Sequence, residues 1–258
     1  MKTMKKSLLL TGVSALALCA GKSAADAADL RAPAYKAPPP APAPVFSWTG
    51  CYAGPHVGWG WSKKSITASR ASGSLTHAGS PSITASGAVF GSQVGCNYQF
   101  SGNWVVGVQG DLAATDINGE NHNPILPLDN DAFVHVKIDW LATVTGRLGW
   151  AVNSFITANP TLLYVKGGGA WVHDRWNIAD SVGSEITQTR SGWTVGAGIE
   201  TVIFGNWTAF TEFDYYDFGT KSFGFCQFNN SLGCGNPTTF DVKQTMWESK
   251  IGLNYKFW

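Results

Sequence analysis

Glu212 and Asp214 stand two residues apart, and a carboxylate pair this close is a simple arrangement for general acid–base work. The same spacing arises on the polar face of any β-strand, because side chains two apart point the same way. The five histidines, His56, His77, His122, His135 and His173, are scattered. None stands in a compact Ser/His signature that would give a nucleophile its base. No Cys/His spacing suits zinc, no glycine loop follows a strand to cradle phosphate, and no nucleophile elbow occurs. Gly167, Gly168 and Gly169 fall inside a strand pattern, where small residues permit curvature or close approach. The residues therefore predict no enzyme: no catalytic residue, no metal and no cofactor.

The elements that would position these side chains are strands. Charged residues are 14% of the 258-residue chain and the formal net charge is +1, so no global field argues for nucleic acid. Thirty glycines, 12 Trp, 14 Phe and 7 Tyr suit either a soluble Gly-rich β-sandwich or strands crossing lipid between aromatic belts. After the N-terminus no apolar run reaches the roughly 20 residues of a membrane helix. Membrane residence would then require a closed barrel, because lipid offers an open sheet edge no partner.

Residues 1–27 read as a signal peptide, with Lys2, Lys5 and Lys6 ahead of a short apolar run and cleavage after Ala27, where Ala25 and Ala27 are the small residues a peptidase reads. A lipoprotein site at Cys19 is disfavoured by the bulk of Leu18. Residues 28–47 form a proline-rich arm, which cannot join a sheet ladder and reads as a periplasmic spacer. Residues 48–258 make the remaining domain.

That domain carries eight segments of alternating polarity, at about 48–62, 85–100, 103–113, 133–152, 161–176, 188–204, 206–218 and 240–258. The links alternate long and short. Ser101-Gly102 and Gly205-Asn206 are tight turns and 153–160 is short, whereas 63–84, 115–132, 177–187 and 219–239 are long and polar. An up-and-down transmembrane barrel with short periplasmic turns and long external loops must show this order. The fold class predicted is all-β: an eight-stranded antiparallel barrel in the outer membrane.

One parity of the strands is apolar, as in Val134, Val136, Ile138, Trp140, Ala142, Val144, Leu148 and Trp150. The other gathers Asp111, Lys137, Asp139, Arg147, Lys166, Glu200, Glu212, Asp214, Glu248 and Lys250, which are assigned to the lumen. Eight strands leave an interior that side chains just fill, so these charges predict an ion-paired plug, with a gated conduction path as the alternative. Aromatics crowd the segment ends at Trp48, Trp59, Trp61, Phe100, Trp104, Trp150, Trp207, Phe218 and Phe257, as interfacial girdles do. The last strand alternates Ile251, Leu253, Tyr255 and Phe257, the form of C-terminal strand that barrel-assembly machinery is taken to read.

Cys226 and Cys234 in the last long loop predict a disulfide facing an oxidising exterior. Cys51 and Cys96 fall on the lipid-facing parity of neighbouring strands. They could pair, but small hydrophobes filling an apolar surface are the preferred reading.

Trp48-Thr49-Gly50-Cys51-Tyr52, Gly95–Phe100, Trp140–Gly149, Gly192–Gly198, Tyr215–Gly219 and Gly252–Phe257 resemble, in order, motifs of the small porin-family, outer-membrane immunogenic proteins of alphaproteobacteria. The resemblance covers nearly all of 48–257 and departs at Cys51 and Cys96, where that family usually carries aromatics. It implies an OmpA-like eight-stranded barrel without a peptidoglycan-binding domain, and no catalytic activity. The expected function is a structural, surface-exposed envelope protein, with a narrow porin for ions or small solutes as the alternative. Expected partners are outer-membrane lipid and lipopolysaccharide, the barrel-assembly machinery, and a surface partner met through the loops. A monomer is expected.

Overall fold

A computed structural model describes residues 46–70, 82–122, 133–153, 159–179, 184–225 and 238–257. The strands are β1 (Gly50–Arg70), β2 (Ser82–Phe100), β3 (Trp104–His122), β4 (Phe133–Asn153), β5 (Pro160–Ala179), β6 (Ser184–Phe204), β7 (Trp207–Phe225) and β8 (Thr238–Lys256). They close an antiparallel barrel in chain order, β8 returning to pair with β1. The β2–β3 turn uses Ser101 and Gly102 at φ 47° and 79°, and the β6–β7 turn uses Gly205 at φ 51°. Closure leaves no strand edge exposed, which is what lets a sheet reside in lipid.

The strand ends at these short turns fall close to where alternation places them, but the opposite ends of the strands other than β4 run further. β1 continues from Ser62 to Arg70, and β3 from Ala113 to His122. A membrane crossing takes about 9–11 tilted residues. In β3 the outward apolar series runs from Trp104 through Val106, Val108 and Leu112 to Ala114, and is followed by outward Asp116, Asn118 and Glu120. One aromatic ring lies by the short turns, where Trp104 meets Trp150 at 4.6 Å and Trp207 meets Tyr255 at 5.1 Å. A second crosses mid-strand, with Trp61 opposite Trp247, Trp247 4.6 Å from Tyr215, and Tyr215 5.6 Å from Trp193. Trp61 thus marks the upper membrane border rather than a strand end.

Above that second ring the binary pattern inverts. Exposed outward residues become polar, including Lys63, Thr84, Ser86, Asn118 and Lys243, while Ile66, Ile83, Val136 and Val242 pack inside. In lipid a barrel is apolar outside; in water it must be apolar inside. The strands therefore carry a barrel extension built for water on top of a membrane segment.

A bulge in β4 accommodates the change. Ile138 pairs with Asp174 and Trp140 with His173, so Asp139 is the extra residue and the side-chain parity flips there. Leu141, Thr143, Thr145 and Arg147 face inward below it, and Val136 and Ile138 above it. The unbroken outward apolar series expected from Val134 to Trp150 is thereby corrected: Val136 and Ile138 are core. Trp48 and Phe218, expected in the girdles, are likewise buried inside the barrel.

Candidate functional site in the barrel lumen

The interior is layered. An apolar cluster of Trp48, Val105, Leu162 and Tyr164 closes the periplasmic end. A larger one, including Val89, Ile117, Ile138, Leu141, Phe218 and Met246, fills the middle, and Ile66, Ile83, Val136 and Val242 fill the upper part. Polar tiers lie between them.

The lower tier begins with a closed circuit. Arg147 donates through Nη1 to the Tyr52 hydroxyl, and Tyr52 donates to Gln109 Oε1 at 2.9 Å. Gln109 donates to Gln93 at 3.0 Å, and Gln93 to Asn254 Oδ1 at 3.0 Å. Asn254 donates to Glu200 Oε1 at 2.9 Å, and Arg147 Nη2 returns to Glu200 Oε2 at 2.9 Å. Thr208 adds a 2.6 Å bond to Glu200, and the Tyr164 ring lies 3.8 Å from the Arg147 guanidinium carbon. Each of the eight strands places one side chain in this belt.

Immediately above, Lys166 lies 2.6 Å from Glu212 and 3.0 Å from Asp214. Lys250 lies 3.2 Å from Asp111, 3.2 Å from Glu212 and 3.4 Å from Asp214. His56 Nε2 is 2.8 Å from Asp111, Tyr164 donates to Glu212 at 2.6 Å, and Tyr216 donates to Glu248 at 2.6 Å. Glu212 and Asp214 are thus both held by the same two lysines. Their pairing is electrostatic compensation of buried charge rather than an acid–base couple aimed at a substrate.

The upper tier is smaller. Asp174 lies 3.0 Å from Lys64, 3.6 Å from Arg190 and 3.2 Å from Gln244 Nε2, and Lys64 Nζ is 4.5 Å from the Trp176 ring centre. Among the described residues no cluster of His, Cys, Asp and Glu is arranged to hold a metal ion.

Of the charges assigned to the lumen, Asp111, Arg147, Lys166, Glu200, Glu212, Asp214, Glu248 and Lys250 are buried there. Lys137 and Asp139 are not. Lys137 is 45% exposed on the outer surface, 3.6 Å from Asp116, and Asp139 pairs outside with Arg175 at 3.2 Å. The bulge at Asp139 is the reason, since parity below it does not carry above it. Lys64, read as part of a loop, is a lumen residue because β1 continues through it. Asp174 and Arg190 are further lumen charges, and both sit on the inward parity of β5 and β6. Tyr52, Gln93, Gln109 and Asn254 carry the same inward parity, a signal present in the sequence for uncharged side chains as for charged ones.

Cys51 and Cys96 are joined by a disulfide, contrary to the preferred reading as separate small hydrophobes. They stand directly opposite each other on β1 and β2, a placement that lets the two sulfurs meet. Ile251, Leu253, Tyr255 and Phe257 line the outward face at the end of β8. Cys226, Cys234, Ala25 and Ala27 lie outside the described residues.

A lipid-facing apolar wall, paired aromatic rings and an interior filled by apolar clusters and ion-paired polar tiers define an outer-membrane β-barrel protein. The chain belongs to the family described as "Outer membrane protein beta-barrel domain", whose profile matches residues 14–257. It is 30% identical over 259 residues to the 31 kDa outer-membrane immunogenic protein of Brucella melitensis, covering 98% of this chain and 100% of that one. It is 27% identical to the 25 kDa outer-membrane immunogenic protein of Brucella abortus, with 100% of both chains covered. Among solved structures it is similar to the outer membrane protein OprG of Pseudomonas aeruginosa, at 18% identity and a TM-score of 0.47, covering 81% of this chain and 96% of that one. The protein is located in the outer membrane.

Proposed function

We propose that this protein is a non-enzymatic, closed barrel that anchors in the outer membrane and presents its upper rim and long loops as an envelope surface. The observation that carries this reading is the lower belt, in which every strand contributes a side chain to one network across the lumen. Apolar clusters below and above it leave a conduction path no continuous polar lining. The water-adapted extension above the upper aromatic ring supports work done at the surface. That its relatives are named outer-membrane immunogenic proteins agrees with such exposure. Lipopolysaccharide and a surface protein are the partners this face suits, the barrel-assembly machinery is the partner for β8, and the chain acts as a monomer.

The test is conductance of the folded protein in a planar bilayer. The reading expects a folded, silent barrel. Reproducible current steps that depend on ion charge would replace it with the narrow-porin alternative.

A further inference from the structure

The disulfide occupies a particular place in the closed barrel. The carbonyl of Cys51 accepts the backbone N–H of Phe257 at 2.9 Å, so Cys51 touches β2 through its side chain and the end of β8 through its backbone. This is the seam where the last strand meets the first. Just above, the seam is interrupted. β1 pairs with β8 at Ala53↔Tyr255 and resumes at His56↔Gly252, with no pairing for Gly54 and Pro55. Pro55 has no N–H to donate to a neighbouring strand. Between Cys51 and the gap, β1 is held to β8 only by a short ladder at Tyr52 and Ala53, whereas its ladder to β2 is continuous.

The disulfide also faces outward. Cys96 is exposed, between exposed Val94 and Tyr98 on its own strand and opposite exposed Val108 on β3. In the assembled barrel these side chains meet lipid, and water-soluble thiols and oxidants have poor access to sulfur there. The bond is therefore accessible to soluble thiol chemistry before insertion.

We propose that Cys51–Cys96 is a staple for the closing seam, made in the periplasm by exchange with a disulfide-carrying oxidoreductase before β8 closes on β1. A thiolate of one cysteine attacks the oxidoreductase disulfide to form a mixed disulfide, and the second thiolate displaces the enzyme sulfur. Two electrons pass to the oxidoreductase, which leaves as a dithiol carrying the two protons lost by Cys51 and Cys96. The bond fixes the β1–β2 register before β8 closes on β1. That matters because a one-residue slip would turn every inward side chain of β1 outward.

The experiment uses the full chain carrying Cys19→Ser, Cys226→Ser and Cys234→Ser, so that only the seam cysteines report. Thiols are alkylated in cells, in assembled protein and in chain held unassembled by depletion of the assembly machinery. Protection in both pools is expected. Free thiols in the unassembled pool with a disulfide in the assembled one would overturn the order of events, and free thiols in both would overturn the proposal entirely. In the same background, Cys51→Val with Cys96→Val keeps an apolar outer face without the bond. It is expected to shift the urea unfolding equilibrium toward the unfolded form by about thirtyfold or more. An unchanged equilibrium would leave the disulfide without a stapling role.

Discussion

The guanidinium of Arg147 is held between the Tyr164 ring, 3.8 Å from its carbon, and Glu200, 2.9 Å from Nη2. β4 supplies the cation, β5 the aromatic face and β6 the carboxylate, so three neighbouring strands are tied across the lumen by one side chain. A buried arginine is compensated only while its partners stay in place.

Arg147→Ala is therefore expected to destabilise the barrel by about 3 kcal/mol or more, because it leaves Glu200 buried without its cation. Urea or heat titration followed on a gel that separates folded from unfolded barrel measures this. Arg147→Lys should recover part of the loss, since a lysine keeps the charge but not the two-pronged contact to Tyr52 and Glu200. If Arg147→Ala left stability unchanged and opened a conductance, the belt would be a gate and not a plug.

Lys250 holds the second half of the lower tier, within 3.4 Å of Asp111, Glu212 and Asp214. Lys250→Met keeps much of the side-chain volume and removes the charge. It should cost more stability than an exposed pair such as Lys137–Asp116, whose Lys137→Met counterpart is expected to change stability by about 0.5 kcal/mol or less. Equal effects in the same urea titration would mean that the lumen charges are solvated and not mutually compensating.

A third expectation concerns Gly198, which stands opposite Tyr164 on β6. A Cβ there would lie 2.5 Å from Tyr164 Cζ and Oη and 2.8 Å from the Thr211 carbonyl oxygen. Gly198→Ala should push the Tyr164 ring off Arg147 and Glu212, lowering stability by about 1–3 kcal/mol in the same titration. The double change Gly198→Ala with Tyr164→Leu should cost less than the sum of the two singles if the clash is with that ring. Simple additivity would remove the ring as the cause.

Much of this arrangement is legible in the chain. Outward Val106, Val108 and Leu112 against inward Gln109 and Asp111 is a period of two that only a half-buried strand requires, and Ser101-Gly102 is a turn by its residue types. What the pattern leaves out is physical rather than accidental. Alternation read with one rule for the whole strand assumes a single solvent outside, whereas β1, β3 and β7 pass from lipid into water along their length. Past Ser62 and Ala113 the apolar signal moves to the other face, so the polar outward residues look like loop. A single extra residue, Asp139, leaves no mark in composition, yet it reverses the assignment of every residue of β4 above it. Pairing of Cys51 with Cys96 depends on the register between two strands 45 residues apart at these positions, which parity alone does not give.

The bulge carries the last expectation. With Asp139 as the extra residue, Lys137 points outward above the upper aromatic ring and Val136 points into the core. Single cysteines at these neighbouring positions, in a chain whose native cysteines are replaced by Val at 51 and 96 and by Ser elsewhere, should differ sharply toward a membrane-impermeant maleimide on intact cells. Lys137→Cys is expected to label rapidly and Val136→Cys to remain protected. Deleting Asp139 removes the extra residue, so that Trp140 follows Ile138 directly and strict alternation from inward Leu141 keeps Ile138 and Val136 inward and Lys137 outward. That deletion is expected to leave the labelling pattern as it is, with Lys137→Cys rapid and Val136→Cys protected, and a reversed pattern would mean that Asp139 is not the extra residue. Rapid labelling at Val136→Cys in the undeleted chain, with protection at Lys137→Cys, would show that alternation runs through β4 without a break and that Lys137 and Asp139 belong to the lumen after all.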